Sequence, residues 1–172
     1  MKRNQVTIRE AQDADIDALF ELHVEALRRH PEAFAAEPEQ VEGDRSGWTG
    51  RLRRNILTGM GAICLAESPD GIVAMSGIFR RALLKMQHTA SIWGMYVRPE
   101  WRGQGLGERL IVANLAWARR NDVRNVRLAV VADNGSAIRC YLKQGFTVYG
   151  VEPEALYYDG RYLDELWMTR RV

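Results

Sequence analysis

Apolar positions recur along this chain with two periods that alternate, and each change of period marks an element. Residues 5–10 alternate apolar and polar and predict a first strand. Ile16, Leu19, Phe20, His23, Val24 and Leu27 then recur at helical spacing, predicting a helix from an N-cap at Asp13 to about His30. His23 lies beside that apolar stripe and reads as a structural histidine. Pro31 and Pro38 bracket an irregular segment containing Phe34, and Trp48, Leu52 and Ile56 share one face of a second helix over Ser46–Leu57.

From Gly61 the period shortens. Residues 62–67 and 72–80 predict two strands joined at Ser68-Pro69-Asp70-Gly71, a hairpin signal. A polar loop over 81–89 leads to a strand at 90–97. A helix then runs to Arg120, with Leu106, Leu110, Ala113 and Trp117 on one stripe and Ile111, Leu115 and Ala118 beside it, wide enough to cover a sheet. Residues 125–132 form a β-branched strand. Asp133 to Ser136 offers N-caps to a helix over 137–144, closed by Gly145. Residues 146–151 and 165–171 are the final strands, with a hairpin turn at Tyr157–Tyr162. No repeat or linker interrupts the 172 residues, which suit one domain.

Composition adds exclusions. No apolar run approaches the roughly 20 residues of a membrane helix, and the N-terminus does not read as a signal peptide, so a cytoplasmic location with no membrane partner is expected. Cys64 and Cys140 lack zinc or redox spacing, so no metal is expected. Net charge is +2, split as −5 over residues 1–50 and +7 over the rest. No dense basic stripe with interleaved aromatics argues for nucleic acid, and the basic part suits an anionic cofactor.

The candidate for that role is Arg102-Gly103-Gln104-Gly105-Leu106-Gly107, between a strand and a helix. Alternate glycines remove Cβ atoms where backbone N–H groups must converge, and the helix start adds unpaired N–H groups and partial positive charge. Such a loop suits a pyrophosphate. A dinucleotide fingerprint would need glycine where Glu108 stands, and the Gly-Lys-Ser/Thr of a Walker loop is missing.

The pattern R-x-x-G-x-G after a strand resembles motif A of the GNAT family of N-acetyltransferases. Asn134, Tyr141, Gly145 and Phe146 resemble its motif B, at a fitting distance from the first. The order of elements resembles the family fold over nearly the whole chain. That resemblance implies an α+β fold: a mixed, mostly antiparallel sheet of about seven strands, flanked by about four helices, with a splayed strand pair for acetyl-CoA. It implies transfer of acetyl from acetyl-CoA to a primary amine of a small molecule. A protein N-terminal or lysine acetyltransferase, or a noncatalytic acyl-CoA-binding domain, stays open, as does a homodimer.

Residue by residue, the resemblance assigns the pyrophosphate to the N–H groups of Arg102, Gly103, Gln104, Gly105, Leu106 and Gly107. Met95, Tyr96 and Val97 match the strand, commonly bulged, whose main chain meets pantetheine and the acetyl carbonyl. Asn134 matches a cofactor contact and is equally suited to cap its helix. Tyr141 matches the tyrosine facing the cofactor sulfur, where a phenol of reference pKa near 10 can protonate a leaving thiolate. Ser91, Trp93 and Met95 offer no base on the strand before the loop. Glu25, His30, His88 and Glu152 are of suitable type, and none is assigned. Family topology makes the first two helices one wall of the acceptor site, and here Glu25, Glu32, Glu37, Glu39, Glu42 and Asp44 could make it acidic or simply be solvated.

Overall fold

The computed structural model describes residues 6–172, so Gln5 of the first expected strand lies outside the described residues. Seven strands form one sheet: β1 (Thr7–Glu10), β2 (Gly61–Ser68), β3 (Gly71–Arg80), β4 (Thr89–Val97), β5 (Asn125–Val131), β6 (Thr147–Tyr158) and β7 (Arg161–Arg171). Their order is β1-β2-β3-β4-β5-β7-β6, and only β4 and β5 run parallel. Five helices flank it: α1 (Ile16–Arg29), α2 (Pro38–Gly43), α3 (Arg45–Leu57), α4 (Leu106–Arg120) and α5 (Gly135–Lys143).

The strand period of two sorts the core into layers. Ile63 and Leu65 of β2 pack with Leu19, Phe20 and Trp48 of α1 and α3, whereas the alternating Cys64 and Ala66 meet Leu106 and Leu110 of α4. On the same side as α4, Ile92, Val126, Leu128 and Val130 pack with Ile111, Leu115 and Phe146. Leu110 is fully buried, so truncation to alanine would cost about 2–5 kcal/mol and loosen the helix that carries the glycine loop.

Three local readings are corrected. Asp13 is no N-cap: residues 13–15 form a 3-10 turn, and Asp15 accepts the Gln12 backbone N–H at 2.8 Å while Arg9 clamps it at 2.7 Å. Hydrogen bonding to Arg9 holds the Asp15 carboxyl below its usual value. The Pro31–Pro38 segment ends in the unexpected α2, because Pro38 at its first turn fits a helix start. The last hairpin is longer than expected: β6 runs on to Tyr158 through a register shift between Glu152 and Leu156, and turns at Asp159 and Gly160, both at positive φ.

Candidate active site

The site begins where the sheet fails to stay closed. Parallel pairing of β4 and β5 covers only Thr89–Ser91 against Asn125–Arg127. Beyond it Ile92–Val97 and Leu128–Val131 diverge, so β4 main-chain groups facing β5 have no ladder partners and require others. Within the same stretch β4 bulges against β3: Met75 pairs with Tyr96 and Gly77 with Trp93, leaving Gly94 and Met95 opposite Ser76. Gly94 takes φ +62°, where a side chain would be strained. Trp93 lies over Gly77, so closely that any Cβ there would collide with its ring.

After β4 the chain turns at Pro99–Trp101 and enters the glycine loop. Gly103 and Gly105 adopt φ of +73° and +72°, and Gly105 caps α4 in the left-handed region. No side chain caps that helix, so its first N–H groups stay available. Asn134 caps α5 by accepting the Ala137 N–H at 3.2 Å.

Between these parts lies a cleft of about 720 Å³, walled by β4, the loop, the start of α4, one face of α5, and the residues after α1. Its lining fits acetyl-CoA: a helix N-terminus and Arg102 and Lys143 for a diphosphate, and unpaired strand edges for amides. A Cβ on Gly107 would already touch Cys140 Sγ at 3.5 Å, so a branched side chain there would fill the space between α4 and α5.

Of the residues expected from sequence, Met95, Tyr96, Val97, Arg102, Gly103, Gly105, Leu106, Gly107 and Asn134 line this cleft. Gln104 and Tyr141 do not. Asn134, Ala137, Cys140 and Lys143 form the helix face that does, and Tyr141 stands one residue off it, with its ring edge-on to Phe146 at 5.9 Å. Burial raises the Tyr141 phenol above its ordinary value, which keeps its proton on. Its hydroxyl makes no hydrogen bond among the described residues, yet it is not one of their fully enclosed orphan atoms.

Two contacts of the loop escaped sequence reasoning. Arg102 donates from Nε to the Val97 carbonyl at 3.0 Å and places Nη2 2.7 Å from His30 Nε2, tying the loop to the end of α1. Lys143 Nζ donates to Glu108 at 2.9 Å, from the end of α5 to the start of α4. The spacing of α5 could have pointed to Cys140 and Lys143; nothing local points to the Arg102–His30 contact.

The acidic segment is not a bare wall. Glu25 accepts from the Tyr96 hydroxyl at 3.0 Å and pairs with Arg98 at 2.9 Å, Glu42 pairs with Arg28, and Asp44 with Arg51. Only Glu32 of this group lines the cleft. Burial and then Glu25 push the Tyr96 phenol up to about 12, so Tyr96 acts as a strut holding β4 to α1.

These features match those of a known group: the family model described as acetyltransferase (GNAT) family matches residues 16–146. The chain belongs to the GNAT family. It is an acetyl-CoA-dependent N-acetyltransferase. Over 97% of its length the chain is 25% identical to an L-amino acid N-acetyltransferase from Escherichia coli, covering 98% of that protein. It is 28% identical, again over 97%, to an L-methionine sulfoximine/L-methionine sulfone acetyltransferase from Salmonella typhimurium, covering 95% of it. A solved acetyltransferase structure from Salmonella typhimurium, with acetyl-CoA, superposes with a TM-score of 0.85 at 25% identity, over 98% of this chain and 94% of that one. No helix among the described residues is long and apolar enough to cross a membrane.

Proposed function

We propose that the protein acetylates the amino group of a small, amino-acid-like acceptor by direct transfer from acetyl-CoA. The observation that carries the reading is the loss of β4–β5 pairing beside the N-terminus of α4, which sets unpaired strand edges and anion-binding N–H groups along one cleft. The named activities of the two full-length relatives, one on L-amino acids and one on amino-acid analogues, support an acceptor of this class.

Each part of the chain has a task in this reading. Loop and helix N–H groups from Arg102 to Gly107 hold the diphosphate, with the side chains of Arg102 and Lys143 beside it. The main chain of Met95–Val97 aligns the pantetheine amides and the acetyl carbonyl, and Asn134 adds a polar contact while capping α5. When bound, acetyl-CoA supplies an acyl thioester open to attack by an unprotonated amine. Tyr141 holds a proton at its hydroxyl for the departing sulfur. Phe34 and Ala33, after α1, bound the acceptor end.

Amine-dependent thiol release from acetyl-CoA, measured across free amino acids, simple amines and peptides, tests this. Turnover of free amino acids above peptides is expected. Preference for peptides would favour a protein acetyltransferase, and tight acetyl-CoA binding without turnover of any amine would favour a binding domain.

A further inference from the structure

Transfer to an amine needs a group that takes the amine's proton, and the obvious candidates are committed or displaced. Glu25 is held by Tyr96 and Arg98, and His30 by Arg102. His23 is stacked on Trp48 and lowered by burial to about 4, and His88 lies at the end of β4 farthest from the loop.

The strand register brings a different carboxylate to the reacting level. Ser91 of β4 pairs with Arg127 of β5; counted on from there, with Gly94 and Met95 of the bulge sharing one position, Val131 stands level with Tyr96 across the gap. Val131 pairs with Glu165 of β7, which pairs with Glu152 of β6. Residues opposite one another in a sheet project to one face, with Cβ atoms about 5 Å apart. Val126, Leu128 and Val130 enter the core beneath α4 and α5, so Val131, Glu165 and Glu152 share the opposite face. No helix among the described residues covers that face over β5–β7: Ala129 is exposed, and Trp167 and Glu165 are half-buried. It adjoins the cleft at Val131, and the turn Pro31–Ala33 approaches β5 from the α1 side.

The two glutamates differ. Glu152 accepts the Trp167 indole N–H at 2.9 Å. Glu165 forms no ion pair or hydrogen bond among the described residues, and burial, followed by the charge of Glu152, raises its carboxyl above the usual range. The other charged groups bordering this face are Asp133 just past β5, Arg127 lower on β5, and Glu32 beyond α1. None is paired with Glu165.

We propose that Glu165 is the catalytic base, taking the proton of the acceptor ammonium directly or through one water. The inference rests on the transfer reading above and adds a residue to it. The ammonium gives one proton to Glu165, and the freed nitrogen lone pair forms the C–N bond to the acetyl carbon. The C–S bond breaks with its electron pair on sulfur, the nitrogen sheds a second proton, and sulfur takes one. The net products are amide, thiol and one proton, which leaves through Glu165 to solvent. Glu152 raises the basicity of Glu165 by like-charge repulsion.

The test compares wild type with Glu165→Gln, Glu165→Asp and Glu152→Gln, reading kcat, the pH dependence of kcat/KM and acetyl-CoA affinity. Glu165→Gln is expected to lower kcat by about 10²-fold or more and remove the acidic limb of the profile, with acetyl-CoA affinity kept. Glu165→Asp should restore part of the rate, and Glu152→Gln should move the acidic limb to lower pH. A Glu165→Gln enzyme with near wild-type kcat and an intact acidic limb overturns the proposal. So does a rate loss accompanied by equal loss of acetyl-CoA binding, which would mark a packing role. Amine-dependent thiol release by wild type separates the two levels: its absence would overturn the transfer reading itself, whereas its presence with an indifferent Glu165→Gln overturns only the base.

Discussion

Arg102 Nη2 lies 2.7 Å from His30 Nε2, so the residue that opens the glycine loop is fastened to the residue that ends α1. An arginine only donates, so His30 must accept through an unprotonated Nε2. The contact is exposed and modest in strength. His30→Ala should therefore raise the acetyl-CoA Kd by less than about tenfold without unfolding the protein. Titration calorimetry checks this; a loss of all binding would mean that His30 does more than brace Arg102.

Backbone N–H groups, rather than side chains, should dominate cosubstrate binding. Gly107→Val, at an ordinary helical φ but against Cys140, is expected to abolish acetyl-CoA binding in a folded protein. Gly105→Val, forced to φ +72°, should add a cost of about 1–3 kcal/mol in stability. Circular dichroism and calorimetry on both variants read the two effects separately, and unchanged affinity in either folded variant would remove the loop from the site.

Tyr141→Phe should lower kcat about 10²-fold or more with little change in acetyl-CoA affinity, because it removes the hydroxyl proposed to protonate the departing sulfur. The ring contact with Phe146 survives the change, so stability should hold. A defect confined to affinity would make Tyr141 a packing residue.

His23 makes the protein acid-sensitive. It is neutral in the fold down to about 4, while an unfolded chain protonates it near 6.5, so stability is full above 6.5 and falls as pH drops from there toward 4. The shift corresponds to about 3 kcal/mol at its limit. His23→Phe, which keeps a ring against Trp48, should flatten this dependence in urea melts at pH 4.5 and 7. An equal acid loss in wild type and variant would assign it to other groups.

What the sequence disclosed was local. Gly145 announces a left-handed helix end, Ser68 to Gly71 a two-residue turn, and Asn134 a helix cap, because each depends on residues a few positions away. The features it hid depend on distant partners. The arginines that neutralise Glu25, Glu42 and Asp44 come from α1, α3 and beyond β4. The phase of α5, which places Cys140 in the cleft lining and Tyr141 one residue off it, is set by packing on Phe146 and the sheet. The length of β6 is masked by Val151-Glu152-Pro153-Glu154, where the alternation breaks and Glu154 takes φ +53°. The level of Glu165 with Tyr96 is a property of register across three strands and cannot be read from spacing.

Cys140 lines the same cleft and provides the competing route, an acetylated enzyme. Burial raises its thiol pKa and so disfavours the thiolate that attack would need. Intact-protein and product mass spectrometry, after mixing enzyme and acetyl-CoA with and without a free L-amino acid, tests the central claim most directly. The expected result is an unmodified protein in both samples, with N-acetyl amino acid and free thiol formed in equal amounts only when the amine is present. An acetylated protein that forms before amine is added and then passes its acetyl group on, or no amide with any amino acid, would contradict it.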